Sequence, residues 1–302
     1  MPSLESAEAL SPIGAWMLAA RLRTLPAAVS PVMVGTAVAV ADGKFEFMPA
    51  MAALLGALLL QIGVNLANDY FDFKKGIDTS ERLGPVRVTQ SGLIHPDRVK
   101  LAMILIFGSA MAIGLYLAAV AGWPVLVAGT ACILSSLAYS GGPFPLASHG
   151  LGDLFVFIFF GLVAVCGTYY VQALEVTPQV LWLSVPVGLL ITAIIVVNNL
   201  RDIPTDRKSG KNTLAVMLGE RGAKLEYLLL VAGAYIMPAV FFFRGGFSAW
   251  VLLPMISTPL WIPNIIAVHK GRGSSLNRVL AKSAALSLIF SLLLSAGLVI
   301  SV

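Results

Sequence analysis

The stretch QIGVNLANDYFDFKKGIDT, residues 61–79, begins inside an apolar run and ends in charge. Gln61, Asn65, Asn68 or Asp69, and Asp72 recur every three or four residues, so on a helix they share one face. A second stretch, NNLRDIPTDRKSGK at 198–211, closes another apolar run in the same manner, with Asn198, Asp202 and Asp206 four residues apart. Pro204 lies within it and is expected to loosen the helix beside the carboxylates, because proline removes a backbone donor. Asn68 and Asn198 stand 130 residues apart. That separation suggests two tandem four-helix units plus a ninth helix.

Around these stretches the 302-residue chain is 58% apolar and only 12% charged, with a mean hydropathy of +0.89. A soluble domain carries about 25% charged residues. The balance excludes a soluble globular domain, a disordered chain and a disulfide scaffold, and predicts an all-α integral membrane protein. A crossing needs about 20 mainly apolar residues. Nine segments qualify: 24–41, 49–70, 98–120, 122–140, 151–172, 179–200, 223–243, 247–268 and 279–301. Residues 13–23 resemble a short amphipathic helix on the membrane surface, so 1–23 is an interfacial segment and 24–302 one membrane domain. No cleavable leader is expected, since Glu5 and Glu8 stand where a basic region would be. Cys132 and Cys166 fall in apolar runs, and His95, His149 and His269 have no metal-ligand spacing.

Nine spans put the termini on opposite sides, and loop charge then orients them. With the N-terminus cytoplasmic, eighteen of the 20 lysines and arginines face the cytoplasm, leaving only Lys44 and Arg244 outside. Twelve of them lie in residues 71–100 and 201–226, which contain the two loops, 71–97 and 201–222, that follow the two Asp-bearing spans. The net charge of +5 is therefore read as facing an anionic leaflet of a bacterial-type inner membrane, not nucleic acid. No protein partner is indicated.

Carboxylates at membrane depth normally face a cavity and have a partner. Two clusters of Asp and Asn on one side suit a hard divalent cation, and magnesium is held through one or two carboxylates plus substrate phosphate. With Lys and Arg interleaved, such a site can grip a diphosphate and stabilise it as a leaving group.

The strings NDYFDFKKGIDT and NNLRDIPTDRKSGKNTLAV resemble the two Asp-rich motifs of the UbiA-type membrane prenyltransferases. The strings at 81–92, 139–153 and 155–170 are similar to the branch acting on 1,4-dihydroxy-2-naphthoate in menaquinone biosynthesis. The resemblance runs from Arg21 to the last span. It implies nine helices around a central cavity, Mg2+, a polyprenyl diphosphate donor and a dihydroxynaphthoate acceptor. The product would be demethylmenaquinone, with loss of diphosphate and carbon dioxide. Carried over by position, it assigns Asp69, Asp72, Asp202 and Asp206 to the metal, with Asn68 and Asn198 beside them. Arg87, Lys208 and Lys211 then serve the diphosphate, while Tyr139 and Asp78 orient or deprotonate the acceptor; Arg87 is also a candidate for its carboxylate. Relatives acting on hydroxybenzoate have an Asp where Gly76 stands here, a departure that fits the naphthoate branch.

Phe155, Phe157, Phe159, Phe160, Tyr169 and Tyr170 could line a prenyl groove or serve as packing. Gly56, Gly63, Gly161 and Gly167 are expected to let helices approach closely. Three alternatives stay open: another aromatic acceptor or a phytyl donor, a secondary transporter, and a phosphatidyl-type transferase. A transporter should carry its charges near the midplane, and the Asp-Gly…Ala-Arg signature of the last class is absent.

Overall fold

The computed structural model describes residues 11–77 and 83–302; Asp78, Glu5 and Glu8, singled out above, lie outside them. Ten helices can be numbered in chain order. A short α1 (Pro12–Ala20) precedes α2 (Pro26–Ala41) at a 50° bend. Then follow α3 (Phe47–Lys74), α4 (Pro96–Ala121), α5 (Trp123–Ser140), α6 (Gly152–Ala173), α7 (Pro178–Lys208), α8 (Leu214–Arg244), α9 (Ala249–Lys270) and α10 (Gly273–Ile300). Among the described residues eight are long and apolar enough to cross a membrane unaided, and a ninth is reached if the bent α1–α2 pair counts as one span. Eight of the nine expected segments are therefore present as single helices, and the first, 24–41, reaches the length of a crossing only together with α1.

Helix starts follow the sequence chemistry. Prolines at the first turns of α1, α2, α4 and α7 cost no hydrogen bond there. Thr177 caps α7 through the Val180 N–H, and Thr213 caps α8 through Val216. Gly122, at φ 88°, makes the tight α4–α5 hairpin. Two local expectations change. The α7 helix continues unbroken through Pro204 to Lys208, so the second Asp stretch projects as one rigid rod. The α8 helix starts at Leu214, ahead of its expected span, and breaks at Gly219 (φ 71°).

Each proposed unit packs its Asp-bearing helix most extensively on the next one, α3 on α4 and α7 on α8, while α2 touches α6 and α10. The main apolar core joins α2, α6, α7, α8 and α10 through residues such as Val34, Tyr169, Leu190, Tyr227 and Phe290. A smaller cluster holds α1 against α3 and α4 through Ala15, Leu66, Val99 and Phe107. Glycines permit the closest approaches. A Cβ on Gly161 would lie 2.7 Å from the Gly188 Cα, and one on Gly63 would meet the Phe107 ring at 2.7 Å. Gly167 differs from the expectation: nothing lies within 4 Å of its missing Cβ, because it faces open space.

Candidate active site

That space is a cavity of about 660 Å3 between α2, α3, α4, α5, α6 and α7. Its walls run along α3 from Ala53 to Asp72 and along α6 from Phe155 to Val171. At 1.5 Å per residue this is about 25 Å, close to the thickness of a bilayer's hydrocarbon core. Most of its length is apolar. The polar end gathers Asn68, Asp72, Arg87, Tyr139, Asn198, Asp202, Asp206 and Lys211 from four separate segments. Asp69 and Lys208 do not line it, and Asp78 is outside the described residues.

Asp72 is the best-buried acid on this wall, 3% exposed. Its Oδ2 accepts from Arg87 Nη2 at 3.3 Å and lies 3.7 Å from Lys211 Nζ. Its Oδ1 is buried and finds no donor among the described residues. A lone buried carboxylate oxygen is costly to leave without a partner. Lys75, just beyond α3, donates to the Ser140 carbonyl at 2.7 Å; partial burial pushes its ammonium down, with Asp72 opposing. Asn68 Oδ1 accepts from the Ser140 hydroxyl at 2.6 Å.

Asp69 does different work. Both its oxygens are taken by the segment after α3, from the Val88 N–H at 3.2 Å, the Thr89 N–H at 3.0 Å and the Thr89 hydroxyl. These bonds fold that segment back so that Arg87 meets Asp72.

On α7 the organiser is Arg201, only 1% exposed. Its Nε donates to Asp202 Oδ1 at 2.7 Å and its Nη2 to Asp202 Oδ2, a bidentate pair. Nη2 also donates to Asn198 Oδ1 at 2.9 Å, and Nη1 to Asn277 Oδ1 at 2.8 Å. Asn277 Nδ2 in turn donates to the Leu83 carbonyl at 2.9 Å. A Cβ on Gly84 would lie 2.8 Å from Nη2, so glycine lets the first loop rest on the guanidinium. Arg201 thus ties α7, α10 and the α3–α4 loop together. Sequence spacing missed it, because adjacent residues on a helix do not share a face; an arginine next to an Asp in an apolar run was the available signal.

Of the aromatic residues, Phe155, Phe159, Phe160 and Tyr170 line the cavity. The π-helical turn over Phe157–Val163 shifts the helix register there, as such bulges do at functional sites. Phe157 packs on Gly188, and the Tyr169 hydroxyl donates to Asp42 at 2.6 Å. The Tyr139 hydroxyl lies 3.1 Å from where a Gly152 Cβ would stand.

Among the described residues no three His, Cys, Asp or Glu converge closely enough to chelate an ion by themselves. The donor set at the polar end is nevertheless all oxygen, and one carboxylate oxygen has no donor. Both features suit a hard cation whose shell is completed by water and substrate oxygens.

Residues 28–299 match the UbiA prenyltransferase family. The 1,4-dihydroxy-2-naphthoate octaprenyltransferase of Escherichia coli is 39% identical over 254 residues, 82% of each chain. The enzyme of that name from Bacillus subtilis is 32% identical over 95% of this chain and 92% of its own. A UbiA homologue of Archaeoglobus fulgidus, whose structure was solved bound to GPP and Mg2+, superposes with a TM-score of 0.70 at 18% identity. The match covers 94% of this chain and 99% of that one, a likeness of fold. By sequence and by fold, the chain belongs to the UbiA prenyltransferase family.

Proposed function

We propose that the protein transfers a polyprenyl group from polyprenyl diphosphate to 1,4-dihydroxy-2-naphthoate, releasing diphosphate and carbon dioxide to give demethylmenaquinone at its reduced, quinol level. The observation that carries this reading is one cavity with two Asp motifs at its polar end and an apolar limb as deep as the bilayer. Relatives named for this activity cover most of the chain at 32–39% identity. The charge distribution supports a cytoplasmic N-terminus and a cytoplasmic polar end.

Asp72, Asp202 and Asp206, with the amide oxygens of Asn68 and Asn198 alongside, would hold Mg2+, which supplies Lewis-acid stabilisation of the departing diphosphate. Arg87 and Lys211 offer N–H donors to the diphosphate oxygens, and Lys208 adds positive charge from just outside. The allylic C–O bond breaks, its electron pair leaves with the diphosphate, and a ring carbon of the acceptor bonds to the prenyl carbon. Loss of the carboxylate as carbon dioxide returns an electron pair to the ring. Phe155, Phe159 and Phe160 shield positive charge developing on the prenyl carbon from water. Tyr139 orients the acceptor hydroxyls, with Asp78 the second candidate for that task. Asp69 serves by holding Arg87 in position. The charges crowd one end of the cavity and not its middle, which favours transfer over transport.

The test is a prenyl-transfer assay on purified protein in lipid, offering the naphthoate or 4-hydroxybenzoate with magnesium or EDTA. Magnesium-dependent product from the naphthoate alone is expected. Product from hydroxybenzoate alone would keep the chemistry and overturn the acceptor. Asp72→Ala should lower turnover by at least ~100-fold, the scale of losing one electrostatic partner of the leaving group, with membrane insertion unchanged.

A further inference from the structure

The break in α8 at Gly219 falls ten residues after the last Asp-motif helix ends, on the same side of the bundle. A knot of charge follows it. Glu220 Oε1 accepts from Lys224 Nζ at 2.7 Å and from Arg272 Nε at 3.2 Å. Lys224 Nζ also donates to the His269 carbonyl at 2.8 Å, in the last turn of α9. That carbonyl belongs to the negative end of the α9 dipole, which a cation suits. The knot therefore joins α8, α9 and the residue that leads into α10.

Around it lies a crevice whose lining mixes Arg221, Lys224 and Arg272 with Leu218, Leu225 and Leu228. None of these lines the prenyl cavity. Three cations face one carboxylate, Glu220, and that carboxylate is already shared by Lys224 and Arg272. Arg221 has no acidic partner among the described residues, and Arg272, bound through Nε, keeps both Nη groups for another acceptor. Position along α8 adds a second constraint. Past the break, Arg221, Leu225 and Leu229 recur every four residues and all are exposed. An exposed apolar row on a crossing helix faces acyl chains. Arg221 stands at its head, about 12 Å from Leu229, where the row meets the phosphate layer.

We infer that this crevice binds one anionic phospholipid: Arg221 and the Nη groups of Arg272 hold its phosphate, and an acyl chain lies along Leu225 and Leu229. A lipid suits the lining better than a soluble anion, because half of it is leucine. It suits it better than a protein partner, because the row beneath Arg221 runs into the bilayer. Bound there, the lipid bridges the broken start of α8 and the approach to α10, and so stabilises the folded bundle. None of these residues belongs to the proposed reaction machinery, so the inference stands apart from the choice of acceptor.

The test titrates the full-length protein, stripped of lipid in detergent, with phosphatidylglycerol, phosphatidylcholine, sn-glycerol 3-phosphate or inorganic phosphate. Melting temperature and native mass spectrometry report binding. Wild type should retain phosphatidylglycerol and melt higher with it, bind phosphatidylcholine more weakly, and ignore both soluble phosphates. Arg221→Gln with Arg272→Gln should lower phosphatidylglycerol affinity by about 10- to 30-fold, the scale of two basic residues at an anionic surface, and leave phosphatidylcholine unchanged. Arg221→Gln alone breaks no ion pair among the described residues, so it should fold as wild type does and lose about fivefold. Arg278→Gln with Lys282→Gln removes as many exposed cations from the start of α10 and should keep full affinity. An equal loss in that control would reduce the effect to bulk surface charge and overturn the inference, as would unchanged affinity in the Arg221 and Arg272 variant. A melting shift reproduced by the soluble phosphates would make the crevice an anion site and not a lipid site. Wild type that leaves the membrane with an acidic protein on Arg221, and no phosphatidylglycerol, would give the crevice to that partner and overturn the inference too.

Discussion

On α3, Asp69 reaches outward to fold the following loop, and that loop returns Arg87 to Asp72 one turn later. On α7, Asp202 is gripped by the residue beside it, and Arg201 carries the load to α10 and to the same loop. The surroundings differ as much as the bonds. Of the most apolar stretch of α7, 67% is buried, against 22% for α3. One spacing of acids therefore serves two mechanical designs. The α3 motif depends on a loop that must be folded into place, whereas the α7 motif is built into the most buried helix of the bundle.

Arg201→Ala breaks this difference most severely. It strips Asp202 of its bidentate partner and takes the guanidinium donor from the half-buried Asn198 and Asn277 oxygens. Removing one partner of a buried pair costs about 3–5 kcal/mol, so thermal unfolding in detergent should shift strongly downward and activity should vanish with it. Arg87→Gln, on the loop side, should lower turnover by ~100-fold or more while unfolding moves by only about 1–2 kcal/mol. Equal destabilisation by the two variants would erase the contrast between the motifs.

Asp69→Asn sharpens the contrast within α3 itself. Losing the charge weakens three hydrogen bonds, so stability should fall by roughly 1–3 kcal/mol and turnover by no more than about tenfold. Asp72→Asn should do the reverse, abolishing turnover with little change in melting. If Asp69→Asn is as inactive as Asp72→Asn and still fully stable, Asp69 belongs to the metal shell after all.

Much of this architecture was legible in the chain. Spans, hairpin and polar stripes follow from hydropathy and from the three-to-four-residue recurrence of Asn and Asp, because a bilayer leaves the backbone few options. The site was legible as a list of residues but not as a division of labour. Periodicity puts Asp69 and Asp72 near one face; only the folded loop shows which oxygens are consumed by Thr89 and which remain. Arg201 was hidden by its adjacency to Asp202. Pro204 looked like a break, yet α7 packs so extensively on α8 and α10 that the helix tolerates one missing donor.

The smallest effect tests how tightly each Asp helix is enclosed. Gly161 on α6 meets Gly188 of α7 at 2.7 Å from its missing Cβ, and both neighbours are backbone. Gly161→Ala must push the helices apart, an overpacking cost of about 1–3 kcal/mol. Six residues later Gly167 lines the cavity wall opposite, with nothing within 4 Å. Gly167→Ala meets no atom and removes backbone freedom from the unfolded chain, so it should stabilise by about 0.5–1 kcal/mol. A melt in detergent separates the two by sign. If Gly167→Ala also destabilises, the cavity wall is packed more closely than the structure has it, and the open side on which α3 depends is lost from the comparison.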